Sequence, residues 1–191
     1  IYQLLIYGLG MAGLWAVPGP VWVALTARAL SGGFAAAWPL AVGVALGDLV
    51  WPLAAILGLS WIESSYGDIL AVLRWVAAAI FLVMGILLIR KPATPPGTDS
   101  RMTRPGLWAG FSVGLAAVIG NPKAILFYMG ALPGFFTLGT LTGVDIALII
   151  LISAAIPMVG NLGLALFLDR ARKLLSSPES LRKLNVTSGI L

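Results

Sequence analysis

The chain has 191 residues, 60% of them hydrophobic and 10% charged, with a mean hydropathy of +1.01. A soluble domain is about 45–50% apolar and about 25% charged, so this composition excludes a water-soluble globule and makes lipid the solvent. The net charge of +5 then reads as the basic bias of cytoplasmic loops and not as a nucleic-acid surface, and a chain without cysteine or histidine has no disulfide, no thiol nucleophile and none of the commonest metal ligands.

A membrane-spanning helix needs about 20 mostly apolar residues. The first candidate covers 2–27 and contains "VPGPVW" (17–22). Pro18 and Pro20 remove two backbone donors, and Gly19 between them tolerates dihedrals that other residues avoid. The spacing predicts a broken helix, with bare carbonyls before the break and free N–H groups after it. The positive end of the new half-helix suits a carboxylate, and bare carbonyls suit an ammonium.

After the short basic turn "RALSGG" (28–33), the second span covers 34–61 and places Asp48 near its middle, in "GVALGDLVW". A carboxylate in hydrocarbon is costly, so Asp48 is either paired or protonated. A group with two such states can exchange a proton for a cationic substrate group; the alternative is a permanent ion pair with Lys123. Gly43 and Gly47, like Gly106, Gly110 and Gly114 in and before the fourth span, are spaced so that helix backbones can approach closely.

The third span covers 69–89. The polar segment "RKPATPPGTDSRMTRPG" (90–106) then divides one transmembrane domain, 1–191, into halves 1–89 and 107–191 of about three spans each. The fourth span, 107–132, carries "AVIGNPKAILFY" (117–128). Lys123 is a full charge about ten residues from the outer end of its span, at a cost of about 2.5–3.5 kcal/mol. Pro122 breaks the helix beside it, and Asn121 adds an amide. A broken helix persists only against protein or water, so Lys123 reads as facing an internal cavity; the alternative is a lysine snorkelling outward. The fifth span, 144–168, contains Asn161 in "PMVGNLG", which either lines the same space or makes an interhelical hydrogen bond. A sixth span begins near residue 184 and is cut short at 191. With Ile at position 1, both ends read as trimmed.

Ten of the twelve basic residues fall after spans one, three and five: Arg28; Arg90, Lys91, Arg101 and Arg104; and Arg170, Arg172, Lys173, Arg182 and Lys183. That bias places these loops in the cytoplasm and the N-terminus outside. Trp22, Trp38 and Trp108 then fall towards the inner boundary, and Trp61 and Trp75 towards the outer one, as an aromatic belt. Halves of three spans enter the membrane in opposite directions, which predicts an inverted repeat. "AVPGPVWVAL" (16–25) and "VIGNPKAILF" (118–127) echo one another in support.

"PGP" in span one, the "GxxxGD" of span two and "NPKA" in span four, in that order, resemble the LysE-type translocators, the bacterial lysine exporters together with the threonine and homoserine exporters. "RALSGG", "LRWVAAAIFLVMGILLIR" and "RARKLLSSPESLRKLNVTSG" extend the resemblance over most of the chain. It implies an all-α six-helix transmembrane bundle in the bacterial inner membrane, with Pro-broken first and fourth helices and a sixth helix mostly absent here. It also implies amino-acid efflux driven by proton exchange, and it carries the site onto Pro18, Gly19, Pro20, Gly47, Asp48, Asn121, Pro122 and Lys123.

The expected activity is secondary export of a small neutral amino acid or similar zwitterion, with no cofactor and no metal. The partners are the substrate, the proton and the bilayer; a homo-oligomer is compatible with the sequence. The N–H groups after Pro20, with Lys123, hold the carboxylate. Asp48 and freed carbonyls near Pro18 and Asn121 hold the ammonium, and protonation of Asp48 releases it. An intramembrane aspartyl protease is a poor alternative, because Ala45 stands where its Gly-x-Gly-Asp motif needs glycine. An ion or metal permease is another, opposed by the presence of one mid-membrane carboxylate faced by a lysine.

Overall fold

The computed structural model of the chain describes residues 2–65 and 104–175, with positions 75, 76, 79, 82, 83 and 86 between them; the side chains of 59–65 and 174–175 are outside that description. The rest of the third span, most of the central loop and the start of the sixth span also lie outside the described residues, as do Arg90, Lys91, Arg101, Arg182 and Lys183. Every regular element among the described residues is helical.

Helix α1 (Tyr2–Ala16) stops where the prolines begin. Its last bond runs from Val17 N–H to the Gly13 carbonyl at 3.3 Å, and neither Pro18 nor Pro20 has a donor to continue it. Helix α2 (Pro20–Gly47) restarts with Pro20 in its first turn, where a missing N–H costs nothing. Gly19 has φ −161° and ψ −167°, extended backbone that any residue adopts. The wider freedom expected of this glycine is therefore not used. It is used at Gly33, whose φ of +72° kinks α2.

The expected loop at "RALSGG" is thus helix on both sides of a kink. The carboxylate of Asp169 packs where a Cβ on Gly33 would lie and accepts from the backbone of Phe34. It satisfies the start of the segment beyond the kink much as an N-cap does. Arg28 is likewise no solvated loop charge: it is fully buried. Its guanidinium donates to the carbonyls of Ala36 at 2.7 Å, Arg104 at 3.0 Å and Gly106 at 3.3 Å, tying the kink to the segment that leads into the fourth span.

The second span is also interrupted. After Gly47, Asp48 and Leu49 form a turn before α3 (Val50–Ser65). Pro52 lacks the N–H that the Asp48 carbonyl needs one turn on, so the chain restarts with the proline inside its first turn. The fourth span breaks as the sequence predicts, between α4 (Leu107–Ile119) and α5 (Pro122–Leu126). A π-turn at Phe127–Ala131 and the short α6 (Leu132–Phe135) continue it, and the axes on either side of Asn121 differ by 46°. Helix α7 (Gly143–Leu175) opens with a capping box in which Thr142 and Asp145 exchange bonds.

Helix α2 packs most extensively on α4 and α7. The approach to α4 is backbone against backbone. A Cβ on Gly43 or Gly114 would strike a carbonyl of the opposite helix, and one on Gly47 would strike Val118. The small-residue spacings therefore serve packing. On α7 the buried positions Ile149, Ser153, Pro157, Asn161, Ala165 and Asp169 recur every four residues, following one side-chain ridge. Leu151, Val159 and Phe167 lie exposed on the opposite side. The polar side chains Ser153, Asn161 and Asp169 thus lie on the inward side among apolar ones, while the outward side is apolar, as a lipid solvent requires. Pro20–Gly58 and Gly143–Lys173 are long and apolar enough to cross a bilayer, and the bent pair in the fourth span supplies a third such segment.

Candidate functional site

The breaks after α1, after α2 and after α4 converge on one cavity of about 40 Å³, room for water and too little for a whole amino acid. Gly19, Asp48, Asn121, Lys123 and Asn161 line it, with Trp15 and Trp22. The four polar side chains, Asp48, Asn121, Lys123 and Asn161, which the sequence scatters over more than a hundred positions, thus share one space. Pro18, Pro20, Gly47 and Pro122 are not part of the lining; the prolines shape the breaks, and Gly47 seats α2 on α4.

Lys123 does not snorkel. Its half-buried ammonium donates to the Leu14 carbonyl at 2.7 Å and to the Val17 carbonyl at 2.6 Å. In an unbroken helix Leu14 would accept from residue 18, which is proline, so the lysine supplies the missing donor. The cation also lies at the negative end of α1, where the helix dipole favours it. These are the freed carbonyls assigned from sequence to a substrate ammonium, and the protein's own ammonium occupies them. Two of the three Nζ protons are used.

Asp48 is buried, at the C-cap of α2, with its N–H on the Val44 carbonyl at 2.8 Å. No ion pair joins it to Lys123; an ion pair is present at the end of α7, where Lys173 lies 2.5 Å from Asp169. Asp48 and Lys123 are opposite charges in a shared cavity without direct contact.

Asn121 is an N-cap. Its side-chain oxygen accepts from the Lys123 N–H at 3.1 Å, and Pro122 follows at the first helical position. Asn-Pro is a helix-start signal in its own right, and it aims Lys123 from the first turn of α5. Pro20 and Pro122 hold matching places, each opening the half-helix after a break.

Two tryptophans complete the lining. The Trp22 indole donates to the Trp15 carbonyl at 2.8 Å, another acceptor freed at the end of α1. The Trp15 indole donates to Asn161 Oδ1 at 3.0 Å and packs against Trp22 with the rings tilted at 42° and their centroids 5.4 Å apart. Gly160 makes this close approach feasible, since a Cβ there would collide with the Trp15 ring. The indole is a donor only, so it fixes the Asn161 amide with its oxygen towards Trp15. The other end, Nδ2, is buried without a hydrogen-bond partner among the described residues, a condition that costs about 1–3 kcal/mol. No sequence signal marks Trp15 or Trp22 as lining residues, beyond their lying within a turn of the two prolines.

Between this cavity and the start of α1 lies an aromatic plug. Tyr7 packs edge-on against Phe135 and Phe136, at 5.7 and 5.5 Å. The Tyr7 hydroxyl meets Ser153 Oγ at 2.5 Å, and Ser153 in turn donates to the Ile149 carbonyl at 2.7 Å.

A family model described as "LysE type translocator" matches residues 12–191. The chain is 32% identical to the uncharacterized membrane protein slr1627 of Synechocystis over 93% of its own length and 85% of that protein's. It is 28% identical to the uncharacterized membrane protein PA4757 of Pseudomonas aeruginosa over 64% of this chain and 59% of the relative. It is 32% identical to the chemotactic transduction protein ChpE of the same organism over 60% and 55%. The chain therefore spans less than two thirds of both Pseudomonas proteins. No solved structure matches it.

Proposed function

The chain belongs to the LysE type translocator family, and we propose that within it this protein is a secondary exporter of small neutral amino acids, driven by protons that enter in exchange. Membership itself gives the coarser statement: a membrane transporter of a family of amino-acid and efflux translocators, which are not enzymes.

One observation carries the finer reading. Asp48 and Lys123 line a single cavity without forming an ion pair, beside helix ends whose polar groups are not all used within the helices. A zwitterion supplies the complement of both charges. Asp48 takes its ammonium. The first-turn amides of α2, which have no partner one turn back, and the remaining Nζ proton of Lys123 face its carboxylate. Protonation of Asp48 from the outer side neutralises its hold on the ammonium and releases the substrate. The vacated, protonated site returns inward and loses its proton to the cytoplasm.

The architecture in this reading is a six-helix bundle of two inverted three-helix halves in the bacterial inner membrane, with the N-terminus outside. Support comes from the matching places of Pro20 and Pro122 and from the basic bias of alternate loops. The Tyr7 plug then closes the outer side of the cavity, and opening it is part of the transport cycle. The test is efflux of labelled neutral amino acids from proteoliposomes under an imposed proton gradient. Efflux that follows the gradient supports the proposal, and wild-type vesicles that retain every amino acid overturn it.

A further inference from the structure

We propose that Asn161 selects for the carboxylate of the transported molecule, so that this exporter takes α-amino acids and rejects the corresponding amines. The inference rests on the exporter reading and adds to it the group that reads the substrate's negative end.

The amide is locked. Trp15 offers only a donor, and Asn161 Oδ1 accepts it at 3.0 Å. Trp15 is itself held through its backbone carbonyl by the Trp22 indole at 2.8 Å, and Gly160 gives its ring room on α7. The amide cannot turn over without leaving the indole N–H unpaired. Its remaining group, Nδ2, carries two N–H donors, is buried, and has no partner among the described residues. Asn161 lines the same cavity as Asp48.

The rest of that corner is also rich in donors. Val21 and Trp22, in the first turn of α2, line the cavity, and the amides of a helix's first turn lack intrahelical acceptors. Lys123 has already given two protons to Leu14 and Val17. The cavity therefore has an acceptor, Asp48, for a cation and a donor corner around Asn161 for an anion. Donors that are unpaired without the substrate, and paired only by a molecule that brings an acceptor, are strong discriminators against analogues lacking that acceptor.

The experiment uses proteoliposomes holding the purified chain, with labelled L-alanine, L-valine and L-threonine as amino acids, and ethylamine and isobutylamine as carboxyl-free counterparts. Wild type is expected to carry the amino acids and not the amines. Asn161→Asp keeps an oxygen for Trp15 and replaces the free donor with an acceptor. It is expected to raise the apparent KM for the amino acids by about tenfold or more, the value of a hydrogen bond to a charged group. If that variant fails to fold, Trp15→Phe removes the lock and is expected to narrow the preference for amino acids over amines. Amino-acid transport by folded Asn161→Asp at wild-type KM overturns the inference and leaves the exporter reading standing. So does a wild type that carries amines as well as it carries amino acids. A wild type that moves none of the amino acids overturns both.

Discussion

The ammonium of Lys123 stands in for the backbone donor that Pro18 lacks, meeting the Leu14 carbonyl at 2.7 Å. A lysine on the fourth span thereby completes the broken helix of the first. The two breaks are one structure, and the charge that looked costly in lipid has a backbone partner as well as a cavity to face.

Replacing Lys123 with methionine leaves the Leu14 and Val17 carbonyls without this donor. Thermal unfolding in detergent is expected to show a loss of about 1–3 kcal/mol, with transport abolished. Pro18→Ala returns an N–H to the Leu14 carbonyl. In that background the lysine substitution is expected to cost less, with a coupling of about 0.5–3 kcal/mol between the two sites. Additive effects would separate the lysine from the break.

Gly160→Ala places a methyl group against the Trp15 ring. Overpacking of this kind costs about 1–3 kcal/mol, and the displaced indole releases Asn161. The expected result is a shifted tryptophan emission together with weakened amino-acid transport. Gly163→Ala, which has open space around it, is the control and is expected to change neither.

At the other end of α7, two substitutions are expected to differ sharply. Lys173 is 72% exposed in its pair with Asp169, so Lys173→Ala is expected to change stability by less than about 0.5 kcal/mol. Gly33→Ala forces a side chain into a φ of +72° and against the Asp169 carboxylate. Its cost is expected to exceed about 1 kcal/mol. Thermal melts of the two variants side by side check the order.

Much of this site could be read from the residues. Two prolines around a glycine, and an Asn-Pro-Lys inside apolar sequence, mark both breaks because proline's missing N–H is a covalent fact that no tertiary context restores. Lys123 had to find polar company for the same reason. The turn at Asp48 was not foreseen: Pro52 sits one turn on, but the apolar run around it reads as a continuous span. Arg28 was misplaced because a charge at a predicted loop reads as solvated; that three carbonyls from Ala36, Arg104 and Gly106 gather around it depends on packing across 78 positions. Gly19 invited a conformational explanation that its extended backbone does not need. Trp15 and Trp22 resemble any interfacial aromatics in sequence, and only the placement of α1 against α7 turns them towards the cavity. The four-residue spacing of Ser153, Pro157, Asn161, Ala165 and Asp169 was present throughout as the inward stripe of the fifth span.

The central claim is that the Asp48 carboxylate links substrate release to proton entry. Its most direct test follows proton movement and amino-acid efflux together in proteoliposomes, for wild type and Asp48→Asn. In the wild type the two are expected to move in fixed proportion and in opposite directions. The neutral side chain is expected to abolish the proton flux that accompanies efflux. Proton flux undiminished in folded Asp48→Asn vesicles would contradict the account.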